Sequence, residues 1–337
     1  MKTGVLLINL GTPNSPSVSD VRKYLFQFLN DYRVIDLPWL LRKFLVNCII
    51  VPFRAPKSAA LYKKLWTEKG SPLLYYGNNV KQALQEQLGN KFVVELGMRY
   101  QHPSIRKALE QLESKNIERL VVLPLFPHYA SSSTGSATEE VLKVTSTWNV
   151  IPTLSVINQF YDNEGYISCF AEKGIKHMKD NYEHVVFSFH GLPVRHLESA
   201  HKKETCSTCN CEQEFNQNEW YCYKNTCYET ARKIAEKMSL PFEKYTVSFQ
   251  SRLGKEPWIE PFSDKVVEQK AKEGIKRLLV FSPAFIADCL ETTIEIGEEF
   301  TQIFKENGGR HLQLVESLND DANWIETLKK LILSYTK

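Results

Sequence analysis

Five of the eight cysteines crowd into 22 residues, as Cys206-x2-Cys209-x-Cys211-x10-Cys222-x4-Cys227. Free cysteines are normally buried among apolar neighbours, whereas this segment is polar, so the thiols read as ligands before disulfides. Four thiolates suit tetrahedral zinc or an iron–sulfur cluster. Zinc ribbons usually carry two Cys-x2-Cys pairs, and the second is missing here. The tight knot with a distant partner points to a [2Fe–2S] site, with zinc as the alternative.

His190 closes the run Phe187-Ser-Phe-His-Gly-Leu-Pro193. A histidine after a buried strand, followed by Gly and Pro, is held by rigid backbone, and imidazole can ligate a metal or accept a proton near neutral pH. The plainer reading is a core histidine bonded to a carbonyl. Glu291, Glu295 and Glu299 are spaced i, i+4, i+8, with Asp288 three residues ahead. On a helix these carboxylates line one face. They form either a solvated acidic surface or a ladder of hard oxygen ligands for cations and protons. A third feature is apolar: Leu40 to Phe53 carries more greasy side chains than one surface helix needs, despite Arg42 and Lys43. It reads as a core helix, or as a lip for a flat apolar ligand or a membrane surface.

Positioning these groups falls to a repeated pattern. Val5-Leu-Leu-Ile-Asn-Leu-Gly-Thr-Pro13 is echoed by Val185-Val-Phe-Ser-Phe-His-Gly-Leu-Pro193. Ile117-Glu-Arg-Leu-Val-Val-Leu-Pro124 is echoed by Ile275-Lys-Arg-Leu-Leu-Val-Phe-Ser282. Between them lie the extended runs Val93–Arg99 and Tyr245–Arg252. Amphipathic stretches such as Pro103–Ser114 and Tyr228–Met238 separate the strands. Continuous apolar strands alternating with helices predict parallel sheets covered on both faces. The fold class is therefore α/β, with two similar doubly wound, Rossmann-like lobes and a cleft between them. The expected domains are 1–150, carrying the lip, and 151–337, carrying the His/Glu pair and a cysteine-rich insert over 204–228. In such folds ligands sit beyond the carboxyl ends of the strands, which is where His190 and the Glu291 helix fall.

Composition narrows the classes further. The 337 residues are 43% hydrophobic and 24% charged, which excludes global disorder. Forty-two basic against 39 acidic residues leave +3, too balanced for a protein built to hold nucleic acid. No Gly-x-Gly-x-x-Gly and no P-loop occur, so nicotinamide, flavin and ATP fingerprints are absent. No secretory signal and no uncharged apolar stretch of about 18 residues is evident, so the expected location is cytoplasmic, with any membrane contact peripheral.

Taken together, the motifs resemble the ferrochelatase family. The resemblance spans nearly the whole chain through Asn9-Leu-Gly-Thr-Pro13, Gly70-Ser-Pro-Leu73, Arg99-Tyr-Gln-His-Pro103, Ser132-Ser-Thr-Gly-Ser136, the His190 motif, Gln250-Ser-Arg-Leu-Gly-Lys-Glu-Pro-Trp258 and Ala284-Phe-Ile-Ala-Asp-Cys-Leu-Glu-Thr292. It implies a lyase that inserts Fe2+ into protoporphyrin IX, releases two protons and completes haem biosynthesis. It implies catalytic roles for His190 and Glu291, which also meet the substrate iron, and an iron or proton path through Glu295 and Glu299. Arg54, Tyr62, Ser71, Arg99, Tyr100 and Trp258 match porphyrin-contacting positions. Some members carry a [2Fe–2S] cluster on an internal cysteine segment. Cys227 matches a position that is often cysteine without a cluster, so Cys206, Cys209, Cys211 and Cys222 are the expected ligands, with Cys227 in reserve.

One departure stands out. Many members have histidine two residues before the matched glutamate; here that residue is Cys289. Either its thiol substitutes as a softer ligand, or metal entry relies on carboxylates. The expected partners are the porphyrin and ferrous iron, with peripheral membrane contact through the lip and either a monomer or a homodimer. Competing readings are a cobalt-inserting sirohydrochlorin chelatase, whose polycarboxylate substrate would demand a more basic pocket, and a non-catalytic haem or porphyrin carrier.

Overall fold

The computed structural model describes residues 2–200, 209–252, 254 and 256–336. Cys206 therefore lies outside the described residues. The chain divides into two compact units: Met1–Phe126 with Ala130–Gln159 and Asn319–Lys337, and Pro127–Tyr129 with Phe160–Leu318.

The first unit is built on β1 (Thr3–Gly11), β2 (Phe92–Tyr100), β3 (Arg119–Pro124) and β4 (Thr153–Val156). All pair in parallel in the order β2-β1-β3-β4. Leu6, Ile8, Leu120 and Val122 face one way and are packed by Ile105, Leu109 and Leu112 of one helix and Ala137, Val141 and Val144 of another. Their neighbours Val5, Leu7, Val121 and Leu123 are equally buried on the opposite face. That two-sided burial is what an unbroken apolar strand requires, each buried aliphatic side chain contributing about 1.5–3 kcal/mol.

The second unit repeats the design with β5 (His184–His190), β6 (Tyr245–Gln250), β7 (Arg277–Phe281) and β8 (His311–Leu314), in the order β6-β5-β7-β8. Val186, Leu278, Val280 and Leu312 pack against Val266, Val267, Ile296, Phe300 and Phe304. The same 2-1-3-4 order in both units accounts for the sequence echo.

Two features differ from the sequence partition. The helix Ala322–Ser334 packs with the first unit, not the second, so the C-terminal segment is discontinuous from the unit preceding it in the chain. The carboxylate segment is a π-helix, Leu290–Phe300, not an α-helix. Its i→i+5 hydrogen bonding gives slightly more than four residues per turn, and residues four apart still stack.

The apolar segment forms one continuous helix over Trp39–Leu65, long and apolar enough by length and composition to cross a membrane. Val46, Val51, Ala55, Ala59, Tyr62 and Leu65 are buried, and Tyr62 meets Tyr24 of the helix Val18–Leu29 edge-on. The other side is bare: Leu40 is 72% exposed and Phe53 74%, with Trp39, Leu41, Phe44 and Ile49 also exposed. Buried Arg42 does not interrupt it, because its guanidinium bonds the carbonyl of Leu37 at 2.9 Å.

Candidate active site

The chemistry gathers at the carboxyl ends of β5 and β6. His190 is the last residue of β5 and is directly paired with Gln250, the last of β6. The next peptide continues the ladder, with the Gly191 N–H donating to the Gln250 carbonyl at 2.6 Å. The His190 Nδ1 lies 2.6 Å from the Gly191 carbonyl oxygen. A carbonyl only accepts, so Nδ1 carries the proton and Nε2 is left as the basic nitrogen. The Tyr223 hydroxyl donates to the His190 carbonyl at 2.8 Å. The residue is thus held through ring and backbone alike. The carbonyl bond of the plain core reading is present, yet His190 is only half-buried.

Gln250 ties this strand end to the π-helix. Its Nε2 donates to the Glu291 carbonyl at 3.0 Å and to the Glu295 carboxylate at 3.1 Å. Its Oε1 accepts from the Ser188 hydroxyl at 2.6 Å, and Ser188, Ser248 and Ser263 form a fully buried hydroxyl chain at 2.8–2.9 Å. Ser251 takes a left-handed backbone, φ 65°, and aims both its N–H and its hydroxyl at Glu295. Such a conformation costs a non-glycine residue about 1–3 kcal/mol and persists where the surroundings over-determine it. Burial pushes the Glu295 carboxyl above the usual carboxylate range. Glu291 adds repulsion, while Ser251, Gln250 and the nearby His190 oppose the shift.

Buried Ile294, Ile296 and Phe300 anchor the π-helix. Glu291 and Glu295 are left half-buried and Glu299 exposed, a row running from solvent toward the strand ends. The helix starts at Cys289, whose N–H donates to the Thr292 hydroxyl at 3.0 Å. Burial, and then the charge of Glu291, holds the Cys289 thiol well above its ordinary range, so it is neutral. Trp258 belongs to the same neighbourhood: it bridges to Pro193, and its ring stands where a Gly191 Cβ would come within 3.3 Å.

The other expected porphyrin contacts lie in the first unit. Arg54 is exposed on the Trp39–Leu65 helix, and Tyr62 is buried on it. Ser71 caps the helix Pro72–Leu88 and accepts from the Thr12 hydroxyl at 2.9 Å. Arg99 and Tyr100 end β2 and converge on Asp31, whose Oδ2 accepts from Arg99 Nη2 at 2.8 Å, Tyr100 Oη at 2.8 Å and Ser136 Oγ at 2.5 Å. Burial, with Asp31 alongside, raises the Tyr100 phenol far above its ordinary range. Both side chains brace this corner of the unit.

The thiols form a separate cluster. Cys209 and Cys211 are 3.4 Å apart, near the ~3.7 Å edge of a tetrahedron with metal–sulfur bonds of about 2.3 Å. Cys211, Cys222 and Cys227 are fully buried. Burial, then Cys209, raises the Cys211 thiol, and Cys222 adds to the repulsion. Among the described residues, however, no three His, Cys, Asp or Glu side chains are gathered closely enough to hold a metal by themselves.

Sequence reasoning quoted Gln250 and Ser251 within a motif but gave them no role, and it missed Tyr223 and Asp31. The signal for Gln250 was available: it follows an apolar run, as His190 does.

The chain is similar to known proteins over nearly its whole length. The family model for ferrochelatase matches residues 2–335. The ferrochelatase of Legionella pneumophila (strain Lens) is 43% identical over 333 residues, covering 98% of this chain and 99% of its own. That of Coxiella burnetii (strain Dugway 5J108-111) is 44% identical over 340 residues, covering 98% and 93%. Among solved structures, SirB from Bacillus subtilis with Fe3+ superposes with a TM-score of 0.54 at 13% identity, covering 99% of this chain and 96% of that one, a likeness of fold alone. The chain belongs to the ferrochelatase family, whose reaction is the insertion of ferrous iron into protoporphyrin.

Proposed function

We propose that this chemistry is carried out by His190, Glu291 and Glu295, with Gln250 and Ser251 fixing their positions. The enzyme, a lyase, inserts Fe2+ into protoporphyrin IX to give protohaem and two protons. Both inward N–H groups must lose their protons before iron can occupy the ring centre. The supporting observation is the His190 tautomer: with Nδ1–H committed to the Gly191 carbonyl, Nε2 offers its lone pair to a pyrrole N–H. The Glu299–Glu295–Glu291 row supplies hard oxygen ligands for incoming ferrous iron and a return path for protons. Cys289 is buried at the start of the π-helix, so entry is assigned to the carboxylates. Arg54 is the candidate to hold a propionate by a charge-assisted bond, and Tyr62, Ser71, Arg99, Tyr100 and Trp258 are assigned to the porphyrin walls or their support.

The exposed apolar side of the Trp39–Leu65 helix is assigned to the apolar macrocycle and to peripheral contact with a membrane surface, consistent with a cytoplasmic enzyme fed from lipid. Sedimentation with phospholipid vesicles, lost in a Leu40→Ser/Phe53→Ser variant, tests this. Cys206, Cys209, Cys211 and Cys222 are assigned to a [2Fe–2S] cluster, with Cys227 as the alternative ligand and zinc as the alternative metal. Such a centre, when bound, cross-links the segment to the start of the helix Tyr223–Lys237. Iron, sulfide and zinc analysis of purified protein decides its identity; stoichiometric zinc without sulfide reverses the assignment. A substrate panel, Fe2+ with protoporphyrin against Co2+ with sirohydrochlorin, tests the substrate choice.

A further inference from the structure

The apolar helix Trp39–Leu65 is weakly held over its first half. Of residues 39–50 only Arg42 and Val46 are buried, whereas the second half packs through Val51, Ala55, Ala59, Tyr62 and Leu65. A segment with so little buried surface opens at low cost unless something else ties it down. The tie is the connector formed by residues 30–37. Arg42 donates to the carbonyls of Leu37 and Ile35 at 2.9 and 3.4 Å, and Asn30 donates to the Asn47 side-chain oxygen at 2.8 Å. Asp31 organises this connector. Its backbone carbonyl accepts from the N–H groups of Val34 and Ile35 at 3.1 and 3.0 Å, and its Oδ1 accepts from the Arg33 N–H at 2.8 Å. Arg33 in turn pairs with Glu139 and donates to the Ser131 hydroxyl at 2.9 Å. The remaining oxygen, Oδ2, takes Arg99 and Tyr100 from the end of β2 and Ser136 from the start of the helix Ser136–Thr145.

We infer that Asp31 is a positioning residue for the porphyrin: it clamps the connector to the sheet end and so sets the pose of the helix Trp39–Leu65, with Arg99 and Tyr100 acting through it. The inference rests on reading that helix as a wall of the porphyrin site. A buried carboxylate is costly and is kept where its bonds fix one geometry. The bonds of Asp31 either close the turn of the connector or join it to a rigid strand end. The polar ends of Arg99 and Tyr100 are committed to this node, since Arg99 also donates from Nε to the Ser136 hydroxyl and carbonyl at 2.7 and 3.1 Å. The two residues that resemble porphyrin contacts therefore shape the site through the connector. Loosening Asp31 lets the first half of the helix sample orientations in which its apolar side no longer meets the macrocycle. Porphyrin binding weakens, while the chemistry at His190 is left intact.

Asp31→Asn keeps the size and one acceptor oxygen but sets an NH2 group against the donors on one side. Tyr100→Phe removes a single donor and keeps the ring, which stands 5.3 Å from Phe28. Porphyrin affinity is measured by fluorescence titration with protoporphyrin IX alone, turnover with Fe2+ added, and backbone hydrogen exchange by mass spectrometry. Wild type, both single variants and the double variant are compared. The expected result is a rise in porphyrin Kd and KM of roughly tenfold in Asp31→Asn and about threefold in Tyr100→Phe, with kcat at saturating porphyrin within about twofold. Exchange quickens over residues 30–50 and keeps the wild-type rate in β1 and β3. The double variant binds no more weakly than Asp31→Asn alone, the non-additivity of one shared node. Wild-type porphyrin affinity in Asp31→Asn overturns the inference, as does exchange that quickens equally across the whole unit. So does a Tyr100→Phe effect that is undiminished in the double variant, which a direct porphyrin contact would give. If Asp31→Asn does not fold, affinity and exchange in Tyr100→Phe decide alone. Wild-type affinity in a Leu41→Ser/Phe44→Ser variant defeats the reading of the helix as a porphyrin wall and the positioning claim with it, while exchange over residues 30–50 still decides whether Asp31 holds the connector.

Discussion

Ser251 gives Glu295 two hydrogen bonds from one residue, a backbone N–H at 3.0 Å and a side-chain hydroxyl. Both favour the ionised carboxylate against the burial that raises its proton affinity. Ser251→Ala keeps the first bond and deletes the second. The Glu295 carboxyl then binds its proton still more tightly, and the acid limb of the pH–rate profile for iron insertion moves to higher pH. Initial rates across pH 5 to 9 check the direction.

The same carboxyl makes stability pH-dependent. Its folded pKa lies above that of an unfolded glutamate, about 4.3. The folded state therefore binds the proton more tightly, and this contribution is complete below about pH 4 and lost as pH rises through the raised value. Glu295→Gln cannot ionise, keeps an amide oxygen to accept from the Ser251 N–H, and can donate from its NH2 to the Ser251 hydroxyl. It should unfold at a higher urea concentration than wild type at pH 8, with the difference closing at pH 4.

In the first unit, Asp31 Oδ2 receives three donors, from Arg99, Tyr100 and Ser136. Asp31→Ala deprives all three of this acceptor, while Arg99 Nε keeps the Ser136 carbonyl at 3.1 Å and its hydroxyl at 2.7 Å. Losing the shared acceptor costs about 1–3 kcal/mol. A matching drop in urea midpoint at unchanged m-value is expected.

Gly191 has no room for a side chain. A Cβ there would meet the Gln250 carbonyl oxygen at 2.8 Å and the Trp258 ring at 3.3 Å. The first obstacle is backbone in the β5–β6 ladder and cannot rotate away. Gly191→Ala should cost about 1–3 kcal/mol in stability and should also lower turnover, since the displaced peptide carries the oxygen that sets the His190 tautomer.

Long apolar runs made six of the eight strands legible, because Val5–Leu10 and its counterparts are buried on both faces. The four-residue strands Thr153–Val156 and His311–Leu314 were not, since each is only partly buried and shows no unbroken apolar run. His190 and the glutamate row were legible from their place after apolar runs. The π-helix was not, because an i, i+4, i+8 spacing suits α and π turns equally. Arg99 and Tyr100 were legible as special but not as partners of Asp31, 68 and 69 positions away, since pairing at that range is decided by packing. Nor could the pattern of the helix Ala322–Ser334 reveal which unit it would cover.

The central claim is that the His190 imidazole takes the protons that the porphyrin must lose. Haem formation from Fe2+ and protoporphyrin IX, followed anaerobically by absorbance in His190→Ala, tests it most directly. The account predicts porphyrin binding close to wild type with turnover reduced on the order of 10²–10⁴-fold, the usual loss for a general base. Turnover near the wild-type rate would contradict it.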